Sequence, residues 1–237
     1  MEISFKNLDT HRVKVIRILF NNCTKLKSAS LSVFSNAKIC VMAELFCDCK
    51  SIENIDISGI DTSSVKDMAN AFAGCSKLKS LDLSSFDTSE VRYMEEMFRA
   101  CDNLKKVDLS GFRTRNVVSM RSMFYGCKSL EKIDLYNFDT SKVMDMESMF
   151  SGCHKLKSIN LQSFDTIYVE NMEKMFADCH SLVSLDISNF NTSNVCDMNH
   201  MFKGCTSLKT IKLPKDKESR QKLIDQLKED KIQYNIF

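Results

Sequence analysis

The chain of 237 residues has no tryptophan, one proline and six glycines. So little Pro and Gly excludes collagen-like and low-complexity disordered architectures, which need those residues in bulk. Neither sign of charge dominates: 33 Lys and Arg stand against 31 Asp and Glu, a formal +2. That balance leaves no electrostatic footprint for nucleic acid or for an acidic membrane surface. No run reaches the roughly 18 apolar residues that a spanning helix requires, so membrane insertion is not expected. Hydrophobic residues at 43% and charged residues at 27% suit a globular core. The abundant residues are unusual: 11 Cys, 14 Met and 16 Phe.

Those residues fall on a ruler. Cys23, Cys49, Cys75, Cys101, Cys127, Cys153, Cys179 and Cys205 are each 26 residues apart, with no insertion or deletion. Phe20, Phe46, Phe72, Phe98, Phe124, Phe150, Phe176 and Phe202 keep step three positions earlier, and a Leu or Ile column from Leu26 to Leu208 follows three positions later. Twelve of the 14 Met lie in two columns, Met42 to Met198 and Met97 to Met201. A fixed period of this length marks a repeat array, in which each unit buries its apolar side only against its neighbours. The chain is one array rather than two domains.

Residues 78–104 represent the unit. Leu81-Asp82-Leu83 alternates apolar and polar, as a short strand with one buried face does. Ser84 to Ser89 is rich in side-chain oxygens that close turns and cap helices. Val91, Met94, Met97, Phe98, Cys101 and Leu104 recur at spacings of three and four, which predicts a helix of about three turns. Gly, Asp or Ala precedes most of the ladder cysteines, where such a helix would unwind. The order strand, turn, helix, return matches Leu-x-x-Leu-x-Leu repeats, but Phe86 stands where such repeats carry Asn. Asp87, Thr88 and Ser89 must then supply the turn hydrogen bonds. Phe34, Phe86, Phe112, Phe138, Phe164 and Phe190, with Ile60, form an expected apolar spine.

The blocks MFYGCKSLEKIDLYNFDTSKVMDMESMFSGC and LDISNFNTSNVCDMNHMF resemble the BspA-type (treponemal-like) leucine-rich repeat in its 26-residue form. The resemblance spans about residues 3 to 213 and implies an α/β leucine-rich-repeat solenoid: about nine short parallel strands on one face and short helices on the other. It also implies a surface protein with roles in adhesion and in binding host or matrix proteins. The N-terminal sequence carries no charged-then-apolar leader, lipobox-like segment or wall-anchor signal, which many relatives have. A leaderless, thiol-rich chain suits a reducing cytoplasm, whereas the resemblance suggests the cell surface. Both addresses stay open. The expected organisation is a solenoid over residues 1–213 and a C-terminal cap over 214–237, with a charged helix after Lys215 and a closing strand near Ile232 to Phe237. At the other end, Ile3-Ser4-Phe5 falls in the strand register.

No catalytic, cofactor or metal site stands apart from the repeat. Helix-side cysteines about 8 to 10 Å apart would be too distant for disulfides and too dispersed for tetrahedral zinc, so the ladder reads as buried free thiols. Cys40, Cys47 and Cys196 lie off the ladder; Cys196 and His200, four apart, have no orienting third group and read as exposed. His154 and His180 share a column that also holds Lys128 and Thr206, and read as solvated surface.

The informative polar column is Asp56, Asp82, Asp108, Asp134 and Asp186, with Asn160, at mid-strand and pointing outward. Like charges one strand apart oppose each other, so two readings remain: turn-amide acceptors within the repeat, or an acidic stripe facing a partner. The column Asp61, Asp87, Asp139 and Asp165 is expected at helix starts. Acidic strands beside a Lys-rich rim make a dipolar surface that suits a protein ligand better than nucleic acid. A strand face about 40 Å long, at roughly 4.8 Å per strand, accommodates an interface of about 800 Å². The expected contacts are Asp56, Asp82, Asp108, Asp134, Asp186, Lys106, Lys132, Tyr136, Asn160 and Gln162, in a non-enzymatic protein-binding module. The resemblance implies a ligand met at the cell surface; the alternative is a leaderless intracellular scaffold or inhibitor.

Overall fold

The structure is a computed structural model that describes residues 8–236. The apolar-polar triplets form the strands β1 (Ser28–Ser30), β2 (Asn54–Asp56), β3 (Ser80–Asp82), β4 (Lys106–Asp108), β5 (Ser184–Asp186) and β6 (Thr210–Lys212). β1 pairs with β2, β3 with β4, and β5 with β6, always parallel and always 26 residues apart. A last strand, β7 (Asn235–Ile236), adds to β6. Among the described residues these make three separate sheets. The expected unbroken run of about nine strands is not what forms, and the Ile3-Ser4-Phe5 triplet lies outside the described residues.

Several paired intervals carry matched side chains. Asp186 opposite Lys212 is an ion pair at 3.0 Å, and Ser30 donates to Asp56 at 2.7 Å. Asp82 and Asp108 stand opposite each other in the β3–β4 pair, each held by a hydrogen bond from the Ser two residues on. Asp56 against Asp82, and Asp108 against Asp134, also set like charges across the interval, and no strand pairing forms there. Charge alone therefore does not decide which intervals pair, and the intervals on either side of Asn160 lapse without it.

The predicted helices are absent. Among the described residues the α-helix is α1 (Lys217–Glu229) alone, so the α/β class gives way to a chain of strands and turns. The backbone shows why. Glu96 and Ala100 lie at φ 55° and 56°, and the pairs Asn70 and Gly74, Ser122 and Gly126, and Ser148 and Gly152 repeat this left-handed conformation. A left-handed residue every fourth position breaks an α-helix.

The backbone bonds alternate instead. Arg99 and Cys101 donate to Glu96 and Phe98 within the repeat at 3.0 and 3.1 Å. Glu96, Phe98 and Ala100 donate across to the carbonyls of Arg121, Met123 and Tyr125, at 2.9, 2.9 and 2.7 Å. Both conformations turn Met94, Met97, Phe98 and Cys101 inward, so apolar spacing could not distinguish them. The residue before each ladder Cys, Asn at position 22 and Gly, Asp or Ala in the other repeats, is where a left-handed residue falls.

This turn side carries the continuous ladder. Parallel bridges link Val15, Val41, Asp67, Tyr93, Ser119, Asp145, Asn171 and Asp197 in succession. Phe20 to Phe202 form an unbroken stack with ring centroids 4.9 to 6.2 Å apart, well inside the 8 to 10 Å of packed helices. The second Phe column is buried too, with Phe112 and Phe138 stacked at 6.2 Å.

The cysteines are free, and seven of the ladder are buried while Cys23 is half-buried. Each of the seven points its thiol at the carbonyl of a Phe in the preceding repeat, as Cys127 does to Phe98 at 3.2 Å and Cys205 to Phe176 at 3.0 Å. A buried Thr column does the same work at the corner. Thr140 donates to the Asp165 carbonyl at 2.7 Å and accepts the Asp165 N–H at 2.8 Å, and Thr62, Thr88, Thr114 and Thr166 repeat both bonds.

The C-terminal segment imitates a further repeat. Ser219 accepts the Thr192 N–H at 3.0 Å, and Lys222 donates to the Thr192 carbonyl at 3.1 Å. The Asp230 side chain, 1% exposed, accepts the Phe202 N–H at 2.9 Å, where the Met or Leu carbonyl of a next repeat would otherwise stand. Asp216 caps α1 by accepting from Ser219 at 2.7 Å. No helix of the described residues is long and apolar enough to cross a membrane.

Two outcomes follow from the interior columns. Thr140→Val keeps the shape but leaves the Asp165 amide and carbonyl unpaired, and should cost about 1–3 kcal/mol in urea unfolding, whereas Thr140→Ser should cost less. Burial pushes the Cys101 and Cys153 thiols from 9.0 up to about 12. Above pH 9 the unfolded chain loses these protons and the folded chain keeps them, so stability falls as pH rises through that window. The urea midpoint should drop steeply from pH 9 to 10.5, and the slope should be shallower in the Cys101→Ala/Cys153→Ala variant.

Candidate protein-binding surface

Every carboxylate of the strand-face column serves its own repeat first. Asp82 and Asp108 accept the N–H of Ser84 and Ser110 at 2.9 and 3.0 Å. Asp134 accepts the Tyr136 N–H at 3.1 Å. Asp56 and Asp186 accept both the amide, at 3.0 Å, and the hydroxyl of Ser58 and Ser188. Asn160 does the same for the Gln162 N–H at 3.1 Å. This is the side-chain turn closure that Asp and Asn favour. Hydrogen bonds from Ser58, Ser84 and Ser110 hold the carboxyls of Asp56, Asp82 and Asp108 below the usual range. The turn-acceptor reading is therefore realised in all six positions.

The second acidic column closes turns as well, rather than starting helices: Asp61, Asp87, Asp139 and Asp165 accept from the residue two positions on at 3.0 Å. A third corner, Asp67, Asp145, Asn171 and Asp197, does so at 2.9 to 3.0 Å. Sequence reading passed over that third column, though its spacing of 26 marks it.

The structure gathers some of the ten predicted contacts and disperses others. Lys106, Lys132, Asp134 and Asn160 line one groove of about 710 Å³ that crosses three successive repeats. Val107, Ile133 and Ile159 form its floor, and Lys105, Glu131 and Ser158 complete it. The groove opens where the strand pairing lapses after β4. Asp108 borders it, and Tyr136, 62% exposed, stands two residues from Asp134. Gln162 follows Asn160 and is exposed. Asp56 and Asp186 lie in repeats outside the groove, at β2 and β5, and Asp82 ends β3. Sequence reasoning missed the three floor residues, since alternation marks them only as strand interior.

The other chemical candidates do not converge. Cys196 directs its thiol at the Asn194 carbonyl at 3.6 Å, while His200 faces Asp230 at 3.6 Å. His154 and His180 stack at 4.8 Å, and His180 Nδ1 lies 2.8 Å from the Gly204 carbonyl. Among the described residues no group of three or more His, Cys, Asp or Glu is placed to hold a metal ion.

A family described as "Mycoplasma protein of unknown function, DUF285" matches residues 14–132, 40–156 and 118–218, overlapping windows that together cover most of the repeats. The chain belongs to the DUF285 family. No curated protein matches this DUF285 chain. Among solved structures, the crystal structure of a TLR13–ssRNA13 complex matches at 13% identity and a TM-score of 0.28, over 85% of this chain and 45% of that one. The DUF285 chain thus spans less than half the length of that structure. The overlapping family matches agree with a chain built of repeats.

The turn bonds define a separation of roles that mutation can read. Asp108→Asn, which keeps the acceptor as Asn160 does, should leave the urea midpoint close to wild type. Asp108→Ala should cost about 1 kcal/mol, the worth of one such hydrogen bond.

Proposed function

We propose that this DUF285 chain is a leucine-rich-repeat solenoid of 26-residue coils that binds a protein ligand, without catalysis, through its strand face. One observation carries the reading: the groove of about 710 Å³ over three repeats, lined by exposed lysines, with an exposed tyrosine close by. Concave surfaces with a few convergent polar groups are where ligands bind, and tyrosine is enriched among the residues that anchor protein contacts. The chain's carboxylates and buried thiols are engaged in holding turns and repeats together, which favours a binding role over a catalytic one.

The resemblance to BspA-type repeats favours display at a cell surface in an adhesin-like role. A second reading, an intracellular interaction scaffold or inhibitor, draws on the eleven unpaired thiols, which suit a reducing compartment. Both use the same face.

Charge reversal of the Asp column is a poor test, because it would also open the turns. A photo-crosslinking residue in place of Tyr136 avoids that, with Lys203 on the turn side as the matched control. Discrete protein adducts from position 136 and none from 203 are expected; equal labelling at both positions, or none at either, would remove the strand face from the argument.

A further inference from the structure

The edge of the array opposite α1 carries an unused row of acceptors beside exposed apolar side chains. In the repeat that holds Val15 to Cys23, the amides of Ile16, Ile18, Phe20 and Asn22 donate forward to the carbonyls of Val41, Ala43, Leu45 and Cys47 at 2.7 to 3.2 Å. The matching carbonyls of that repeat, on Val15, Arg17, Leu19 and Asn21, accept no backbone hydrogen bond among the described residues.

The side chains there are unlike their counterparts. Val15 is 58% exposed, Ile18 48% and Leu19 40%, whereas Leu45 and Met149, in the column of Leu19, are fully buried. Glu44, Asn70 and Ser148 stand in the column of Ile18, and Asp67, Asp145 and Asp197 in that of Val15. Ile18 also lies at φ 62°, which a β-branched residue rarely adopts. Arg17 turns its guanidinium to Glu44 of the next repeat at 2.8 Å, so its charge is engaged along the array. The opposite edge differs: α1 buries Leu223 and Leu227, and Asp230 takes the Phe202 N–H. A capping repeat presents a polar outer face; the edge at Val15 presents an apolar one.

We infer that this edge takes an added polypeptide segment of another protein, in the turn conformation of the array. Its amides meet the carbonyls of Val15, Arg17, Leu19 and Asn21, and its apolar side chains cover Val15, Ile18 and Leu19. This is recognition by edge addition, in which main-chain bonds supply affinity and side chains supply choice; it does not depend on the strand-face reading. A row of carbonyls asks for a row of N–H donors, which a lipid surface lacks. A second copy of this chain fits poorly. Two such edges face to face set carbonyl against carbonyl, and the donor edge at Phe202 is already taken by Asp230.

The probe is a fluorescein-labelled peptide of residues 143–152 carrying Asp145→Val, Ser148→Leu and Phe150→Ala, read by anisotropy against the full chain. Its amides at 146, 148, 150 and 152 are those that meet the carbonyls of Asn171, Glu173, Met175 and Ala177 in the array. Phe150→Ala is included because Phe20, which it would face, is already buried. The peptide should bind. Esters in place of the amides at 148 and 150 delete two donors and should weaken it at least about fivefold. Keeping Asp145 and Ser148 should weaken it by a similar factor. In the protein, Val15→Asp/Ile18→Asn restores residues that the two columns carry elsewhere, so the urea midpoint should hold while the peptide binds at least about fivefold more weakly.

No binding of the peptide, equal binding of its ester or polar forms, or full binding by the folded double variant would overturn the assignment. So would sedimentation that finds the chain alone dimeric and the double variant monomeric, since the occupant would then be a second copy. The ester comparison uses the unaltered protein and decides the matter even where the double variant fails to fold.

Discussion

The structure depends on one constraint: each repeat must exchange backbone hydrogen bonds with its neighbours. On the turn side most of these bonds run forward, from Asn70, Phe72 and Gly74 to Glu95, Met97 and Arg99, and from Ser148, Phe150 and Gly152 to Glu173, Met175 and Ala177, while Lys66, Arg92, Val118 and Met144 each donate back to the preceding repeat. A left-handed residue at every fourth position turns alternate N–H groups toward the next repeat, while those between them close turns within their own. Peptide dipoles aligned this way add, as they do along a helix. The buried Asp230 carboxylate meets the Phe202 N–H at the donor end, where negative charge is favoured.

The same constraint accounts for the composition. A left-handed L-residue is disfavoured by about 1–2 kcal/mol, and bonds on both sides offset that cost in every repeat. Stacked Phe rings at the repeat spacing add about 0.5–1.5 kcal/mol per pair. Cys fits beneath them because its thiol is small, apolar enough for the interior and still able to donate to the Phe carbonyl. Thr at the corner supplies both a donor and an acceptor in a volume close to that of Val. With three such columns engaged, the strand face is under less demand, and its pairing lapses in places; the groove opens at one of them.

Much of this was legible before any coordinates. The 26-residue step, the burial of the Phe, Met and Cys columns and the strand triplets follow from periodicity and residue chemistry, whereas turn closure was one of two readings of the strand-face Asp column and the Asp61 column was expected at helix starts. The helices did not form. Val91, Met94, Met97 and Cys101 satisfy a helical stripe, and only backbone angles such as those of Glu96 and Ala100 show that the chain takes a tighter path. Of the contact residues, Lys106, Lys132, Asp134 and Asn160 share the groove, while Asp56 and Asp186 belong to other repeats. A column of identical letters carries no information about where pairing will fail.

The sequence by itself determined that the chain is an array and which residues face inward, because each of these is a local property repeated at a fixed interval. Tertiary structure alone decided which side holds the unbroken ladder and where the groove opens. Hydrogen bonds between repeats depend on the spacing of two backbones, and that spacing is set on the turn side by Phe stacking and by thiol and threonine bonds that only neighbouring repeats supply.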